Sequence, residues 1–281
     1  MNDRAPSSAS SWADEALAAR ASAIQDRIAA AAQRAGRSPT SVTLVAVTKT
    51  IPVERMIAAA ALGLTVFGEN RIQEARDKRA RLEALAQSDP NVARLLAQTR
   101  WELIGHLQTN KAARALELFD RVQSVDSFHL AEALSARAVT RDGALPILLE
   151  VNAGGEASKS GFTLDEVESA ARAIATLPAL RIEGLMTVAP IVSDPEQARP
   201  VFRRLRELRD HLRAIIPLGA GAWGELSMGM SDDFEIAIEE GATLVRVGRG
   251  LFGERPAPPT AHVASVEKPW SPNEAQEANV T

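Results

Sequence analysis

The sequence has no cysteine and no tyrosine, and only 4% of its residues are aromatic. Without cysteine the chain can form no disulfide and can offer no thiolate to a metal ion, which is compatible with a reducing cytoplasm. Its four histidines stand at positions 106, 129, 211 and 262, so no closely spaced histidine pair indicates a metal site. The missing tyrosine also removes one of the side chains that commonly serve in acid–base catalysis.

The chain also lacks a large excess of either charge and any long apolar run. Its 281 residues include 32 Lys+Arg and 36 Asp+Glu, which gives a net charge of −4 and no basic field for nucleic acid. The longest uncharged stretch of the body, residues 56–68, is too short to span a bilayer, and the first residues lack an apolar signal core. We therefore expect a cytoplasmic protein, monomeric or weakly dimeric, with no nucleic-acid partner and no membrane partner.

Apolar, strand-like segments alternate with helical patterns along the chain. The predicted strands are 42–48, 64–67, 100–104, 121–125, 146–151, 181–186, 223–227 and 243–247. The predicted helices are 12–36, 53–62, 70–86, 108–118, 127–139, 163–176, 195–215 and 231–240, with a further turn at 92–98. This alternation favours a parallel sheet closed into a barrel. An open doubly wound sheet is the alternative, but it usually has a glycine-rich first turn, and Thr48-Lys49-Thr50 contains no glycine.

We predict a single TIM-type (β/α)8 barrel over residues 11–255, with an extra N-terminal helix. Residues 1–10 are expected to be a disordered lead, and the polar, proline-containing residues 256–281 a mobile tail. Two helix starts have local support. Thr163 and Glu166 have the spacing of a capping box, and Ser231-Asp232-Asp233 places a cap and negative charge before a helix.

Lys49 follows the apolar run 42–48 and stands just before Pro52, which suits the first turn of a helix. A lysine ammonium at a buried strand end is costly to desolvate unless a nearby group uses it. A neutral amine in such a place can attack a carbonyl and form a Schiff base. The alternative is an ion-paired lysine, or one whose head reaches solvent.

Two glycine-containing turns follow the last two predicted strands, at 227–231 and 248–250. Each is either an ordinary turn or a place where backbone N–H groups can hold an anion. In a closed barrel strand 8 lies beside strand 1, and the ends of strands 7 and 8 form the usual phosphate site. Arg246 precedes the second turn, and a buried arginine must be paired or must donate to a ligand. Its partner would be a ring nitrogen or a strand-end carboxylate.

Three further side chains stand at or after the ends of predicted strands, and each allows two interpretations. Asn70 faces a ligand or caps the next helix. His106 acts as a general base or is a hydrogen-bonded surface group. Met186 packs on the flat face of a ring or is an ordinary core residue.

Several segments together resemble the pyridoxal-phosphate homeostasis protein family, the alanine-racemase-like barrel proteins without the racemase's second domain. They cover most of residues 40–255 in the family order. The segments are Ala46-Val47-Thr48-Lys49, Phe67-Gly68-Glu69-Asn70 with Gln73-Glu74, Ile104-Gly105-His106-Leu107-Gln108 with Asn110-Lys111, Ser124-Val125-Asp126, Ser158-Lys159-Ser160-Gly161-Phe162, Gly184-Leu185-Met186, Leu226-Ser227-Met228-Gly229-Met230-Ser231 and Val245-Arg246-Val247-Gly248.

The resemblance implies a single barrel that holds pyridoxal 5′-phosphate (PLP) as a Schiff base on Lys49. It places Arg246 near the pyridine nitrogen, and Asn70 and Met186 in the pocket. Such proteins are described as carriers or regulators of the cofactor that affect amino-acid and keto-acid pools, without established turnover, and PLP-dependent apo-enzymes are the expected recipients. The residues implied in phosphate contacts are Ser227, Met228, Gly229, Gly248 and Arg249.

The sequence departs from the family pattern at three places. Arg71 stands where the family often has tyrosine, Glu102-Leu103 stand where it often has His-Phe, and Arg249 replaces a hydroxyl residue in the phosphate turn. Arg249 would either add a charge-assisted phosphate contact or point away.

Two enzymatic alternatives remain beside the carrier. A PLP-dependent racemase of the resembled type needs a tyrosine base from a second domain, and this chain has no tyrosine, which leaves His106 as the substitute. Arg246 at the pyridine nitrogen would keep that nitrogen unprotonated, which weakens the ring as an electron sink. The racemases share this arginine, so it argues against transamination more strongly than against racemisation. A cofactor-free Schiff-base aldolase needs an acid–base partner beside Lys49, and the neighbouring strand ends offer Glu69, Glu102 and His106.

Overall fold

The computed structural model describes residues 14–156 and 159–253. The predicted lead at 1–10 and tail at 256–281 lie outside the described residues. Eight parallel strands form a closed barrel in which each strand pairs with the next along the chain and the last pairs with the first. This confirms the predicted single (β/α)8 barrel.

The strands are β1 (Thr43–Val47), β2 (Val66–Glu69), β3 (Arg100–Leu103), β4 (Arg121–Val125), β5 (Leu145–Glu150), β6 (Leu180–Met186), β7 (Glu225–Ser227) and β8 (Leu244–Val247). The α-helices are α1 (Glu15–Arg34), α2 (Val53–Ala61), α3 (Ile72–Ser88), α4 (Pro90–Leu96), α5 (Ala112–Leu118), α6 (Phe128–Ala138), α7 (Val167–Ile174), α8 (Arg199–Ile215), α9 (Phe234–Glu239) and α10 (Arg249–Phe252). Across the described stretches, no helix is long and apolar enough to cross a bilayer, and no group of three or more His, Asp or Glu side chains could hold a metal ion.

The extra N-terminal helix α1 covers the place where the barrel closes. Asp14 caps it by accepting a hydrogen bond from the Leu17 N–H at 2.9 Å. Its alanine-rich sequence favours helix, and its buried face includes Leu17, Ile24 and Ile28. This face packs against α9 and α10, the helices that flank β8. Helix α1 is therefore part of the barrel's wall.

The pairing of β1 with β8 places the two strands in a defined register, with Val45 opposite Arg246 and Ala46 opposite Val247. Because all strands are parallel, the residues that follow them gather at one face of the barrel. Gly184 allows β6 and β7 to approach closely, since a Cβ at that position would lie 1.9 Å from the Glu225 carbonyl oxygen. Closure therefore brings the end of the first strand beside the end of the last.

Two kinds of side chain fill the barrel interior. One is a small cluster with one apolar residue from each of five strands, namely Val45, Val66, Leu148, Met186 and Leu244. The other is a set of buried polar groups from β3, β4, β7 and β8. In it the Gln123 amide donates to a Glu102 carboxylate oxygen and accepts from the Ser227 hydroxyl. Buried polar groups of this kind must be hydrogen-bonded to be tolerated.

The predicted elements match the structure except at some boundaries. Strand β2 is displaced by two residues from the predicted 64–67, because Glu69 belongs to the strand and is fully buried. The capping box is confirmed, since the Glu166 carboxylate accepts from Thr163 and the Thr163 hydroxyl accepts from the Glu166 N–H. The predicted cap before α9 is wrong in detail. Asp233 makes no side-chain cap bond and instead accepts from the Met230 N–H.

Candidate functional site

Lys49 lies two residues beyond the end of β1 and is partly buried. It lines a small pocket together with Gly248 and Arg249, which follow β8, and with Ile51 and Phe252. The structure therefore brings the predicted amine beside one of the two predicted anion turns. The pairing of β1 with β8 produces this arrangement.

The backbone next to Lys49 has an unusual conformation. Thr50 has φ of 65°, in the left-handed region that a β-branched residue rarely adopts. Such a conformation costs about 1–3 kcal/mol and persists only where the surroundings impose it. Here the Thr50 N–H donates to the Glu74 carboxylate at 2.5 Å, while the Thr48 N–H donates to the Gly68 carbonyl at 3.0 Å. The chain is thus tied on both sides of the lysine.

Lys78 on α3 joins these contacts into one cluster. Its ammonium donates to the Thr48 carbonyl at 2.6 Å, to Glu69 at 2.7 Å and to Glu74 at 2.6 Å. The Thr48 hydroxyl also donates to Glu69 at 2.7 Å. Burial raises the pKa of the Glu69 carboxyl, and the Lys78 ammonium opposes that shift. We call Thr48, Glu69, Glu74 and Lys78 the Lys78 cluster.

The turn after β7 presents mainly backbone to the site. Ser227 is fully buried, and its hydroxyl accepts from Arg246 at 2.6 Å while donating to Gln123 at 2.5 Å. Met228 is fully buried in the main core. Gly229 has φ of 91°, and a Cβ there would lie 2.6 Å from the Ala237 Cβ, so only glycine fits. The predicted contacts of this turn with an anion are therefore available only from its main chain.

The turn after β8 is joined to the turn after β7 by two contacts. The Gly250 N–H donates to the Ser231 hydroxyl at 3.2 Å, and Arg249 donates to Asp232 at 2.9 Å. The Arg249 side chain is mostly exposed and is directed to this aspartate. Arg249 and Gly248 both line the small pocket beside Lys49.

Arg246 is buried between strands and is held by neutral groups. Its guanidinium donates to the Ser227 hydroxyl at 2.6 Å and to the Thr187 carbonyl at 2.8 Å. Burial lowers the pKa of Arg246 to about 10, while the charges of Glu150 and Asp233 oppose the shift. Arg246 therefore stays cationic at neutral pH, at the top of the polar interior.

Three titratable residues at neighbouring strand ends form a second group, which sequence reasoning identified only in part. The His106 Nδ1 lies 2.9 Å from an Asp126 carboxylate oxygen. Burial raises the pKa of Glu150 to about 7, the charge of Asp126 adds to the shift, and Arg246 and His106 oppose it. The sequence showed only that Asp126 and Glu150 end strands. Their proximity depends on the closed barrel.

Asn70 and Met186 occupy different environments. Asn70 does not cap α3, whose cap position is Arg71, and its buried Oδ1 has no hydrogen-bond partner in the described part of the chain. An unsatisfied buried acceptor of this kind can receive a donor from a ligand. Met186 is 1% exposed and belongs to the apolar cluster inside the barrel. The described residues thus place a lysine, an unsatisfied amide oxygen, two glycine-containing turns and a buried cation at or near the C-terminal ends of the strands.

Comparison with known proteins identifies relatives of this chain by sequence and by fold. The family model described as alanine racemase, N-terminal domain, matches residues 20–256. A crystal structure of a Bifidobacterium adolescentis protein is 40% identical, with a TM-score of 0.75 over 85% of this chain and 97% of that chain. The structure of PipY from Synechococcus elongatus with PLP bound is 33% identical, with a TM-score of 0.70 over 84% of this chain and 100% of that chain.

A curated relative gives the family its name. The pyridoxal phosphate homeostasis protein of Aquifex aeolicus is 41% identical over 236 residues, which cover 84% of this chain and 97% of that protein. Identity of this extent over nearly the whole relative, together with the match to the family model, shows common descent and a common fold. The chain therefore belongs to the pyridoxal phosphate homeostasis protein family, with a barrel of the alanine racemase N-terminal type.

Proposed function

We propose that this chain binds PLP as a Schiff base on Lys49 and acts in cofactor homeostasis, as a carrier or regulator of PLP and of amino-acid and keto-acid pools. The observation that carries the proposal is the position of Lys49, just beyond the end of β1 and beside Gly248 and Arg249, which follow β8. A relative with this fold is named for PLP homeostasis, and another was solved with PLP bound. PLP supplies an aldehyde, which a lysine amine can capture reversibly. PLP-dependent apo-enzymes would be the recipients.

The other site residues have proposed roles that follow from their positions. The backbones of Gly248 and Arg249 would hold the phosphate, because they lie beside Lys49. Arg246 would face the pyridine nitrogen. The unsatisfied amide oxygen of Asn70 would accept a hydrogen bond from the ligand. The main chain of the β7 turn and the apolar side chain of Met186 would complete the pocket. The residues of that turn are Ser227, Met228 and Gly229.

Two features favour a carrier over a catalyst. The chain contains no tyrosine to act as the second base of a racemase. Arg246 stays cationic at neutral pH, so it would keep the facing ring nitrogen unprotonated and would limit the ring as an electron sink, which counts against transamination more than against racemisation. Homeostasis without catalysed turnover is therefore the function that we propose.

A PLP-dependent racemase-type activity is the second candidate, and one observation favours it. Burial raises the pKa of Glu150 to about 7, so the Glu150 carboxyl can exchange protons at neutral pH. It lies close to the His106–Asp126 pair. Racemisation assays on the PLP-loaded protein with a panel of amino acids separate the two candidates. Turnover that Glu150→Gln abolishes would establish the enzyme.

The Schiff base is tested by borohydride reduction of the PLP-loaded protein followed by peptide mapping. We expect one pyridoxyl label, on the peptide that contains Lys49. Lys49→Ala should remove both the label and the visible absorption band while the far-ultraviolet circular dichroism stays unchanged. Lys159→Ala, which alters a partly buried lysine beyond the end of β5, should keep both. A label on another lysine of the unaltered protein would contradict the assignment.

A further inference from the structure

A second pocket lies near the C-terminal ends of β2 and β3, where the residues that follow them meet the first turns of α3 and α5. Its volume is about 420 Å³. Its lining includes four exposed cations, Arg71, Arg76, Lys111 and Arg114, and it contains no Asp or Glu. It also includes Asn70 and His106, which belong to the site described above. A cavity lined by four cations is unexpected in a chain whose net charge is −4. Lys49 is not among its lining residues.

The cations of this pocket are available to a ligand. Over the stretches that the structure describes, Arg71 and Lys111 have no ion pair. Arg76 pairs with Asp77 at 3.1 Å and Arg114 with Glu117 at 2.6 Å, each on its own helix. Both pairs are largely exposed, and such pairs contribute little, so a multivalent anion can draw these arginines away. A dianion would gain several charge-assisted hydrogen bonds without breaking a buried contact.

Backbone and apolar groups of the same pocket complete its chemistry. Helix α3 has 17 residues and begins there without a side-chain cap, so its first N–H groups add positive potential. Ile72 and the buried Leu107 give the lining an apolar part. Cations beside apolar side chains suit an organic molecule that carries a small, doubly negative group. Arg71 is also a position at which this sequence departs from the family pattern.

We propose that this pocket binds small phosphate monoesters at a subsite that adjoins the Lys49 site through Asn70 and His106 but does not include Lys49. A phosphate monoester carries close to two charges at neutral pH and three acceptor oxygens, which matches guanidinium and ammonium donors better than a single carboxylate does. PLP itself and other phosphorylated metabolites share this chemistry. The proposal does not depend on a Schiff base at Lys49.

Calorimetric titration of the full chain with glycerol 3-phosphate tests the proposal, because this ester has no aldehyde for a lysine to capture. We expect saturable binding that Arg71→Gln/Lys111→Gln weakens by about tenfold or more, since charge-assisted hydrogen bonds to the dianion are lost. The control is Arg137→Gln/Arg213→Gln. It removes the same charge from two exposed arginines for which the described chain gives no ion pair, and its effect should stay below about twofold.

Each outcome either supports or overturns the proposed phosphate-binding pocket. Equal weakening by the two double variants, or no saturable binding to the unaltered protein, overturns the proposal, provided circular dichroism shows both variants folded. PLP titrated into Lys49→Ala then distinguishes the ligands. Binding that is lost with Arg71→Gln/Lys111→Gln assigns the pocket to the cofactor. Binding of glycerol 3-phosphate alone assigns it to other phosphate esters.

Discussion

Lys78 donates directly to the Thr48 carbonyl before Lys49, and it also donates to Glu74, which accepts from the Thr50 N–H after Lys49. It lies 29 residues beyond Lys49 in the sequence. Its removal would leave Glu69, which is fully buried, without its counter-charge. Breaking a buried pair in this way typically costs about 3–5 kcal/mol. We predict that Lys78→Met lowers the urea midpoint accordingly. We also predict that it slows Schiff-base formation on Lys49, measured by brief exposure to PLP and borohydride trapping.

Two controls separate the position of Lys49 from the stability of the fold. Glu69→Gln/Lys78→Met removes both charges and should recover part of the stability, but the Thr48 carbonyl and Glu74 stay without Lys78, so trapping should remain slow. Arg81→Met breaks an exposed pair with Glu54 near the same helix and should change stability by less than about 1 kcal/mol. If trapping recovers fully in the double variant, Lys78 has no positioning role.

Glu150 should make the stability of the protein fall as pH rises. Its pKa is 4.5 ordinarily and about 7 in the fold, so the folded state binds this proton more tightly. The stabilisation is fully present below pH 4.5 and is lost as pH rises to about 7. Glu150→Gln stays neutral, so its unfolding free energy relative to the unaltered protein should increase over that range by up to about 3 kcal/mol.

Urea unfolding of both proteins between about pH 5 and about pH 8 measures this difference. Glu156→Gln on the following loop is the matched control, and its stability should run parallel to that of the unaltered protein across the range. Parallel curves for Glu150→Gln as well would show that the Glu150 proton is not held by the fold.

At the scale of elements, the bounds of a strand are predicted best where its local sequence pattern and its burial in the folded barrel agree. Strand β4 was predicted at its observed bounds, because it is bounded by clear helical patterns and turn residues. The predicted bounds of β2 lie two residues too early, because Glu69 is charged and the apolar pattern of the sequence ends before it. That carboxylate is tolerated in the strand only because Lys78 and Thr48 hydrogen-bond to it.

The candidate site likewise contains residues that the local sequence predicts and residues that it does not. Lys49 and the glycine turns could be predicted as candidates because a lysine at the end of an apolar strand and glycines after strands are visible in the local sequence. Lys78 and the proximity of Glu150 to His106 were missed, since their surroundings come from elements distant in the sequence. The spacing of Glu74 and Lys78 on one helix face was the only local indication of the Lys78 cluster.

At the scale of the whole molecule, helix α1 covers the region where β1 pairs with β8 and closes the barrel. Two ion pairs, Arg27–Glu235 and Arg34–Glu239, join α1 to α9 over the region where β1 meets β8. They are partly exposed and contribute little. The buried apolar face of α1 must therefore supply most of this contact, and Ile24, at 3% exposed, lies within it.

We predict that Ile24→Ala lowers the unfolding free energy by about 2–5 kcal/mol, the usual cost of truncating a buried isoleucine. If α1 and the barrel unfold as one unit, hydrogen exchange should speed up by the same factor in α1 and in β4 and β5, on the opposite side of the barrel. Ile191→Ala is the matched control, because Ile191 is 95% exposed, and its effect should be near zero. Faster exchange in α1 alone would mean that the barrel closes without it, and that the position of Lys49 beside Gly248 depends on strand pairing only.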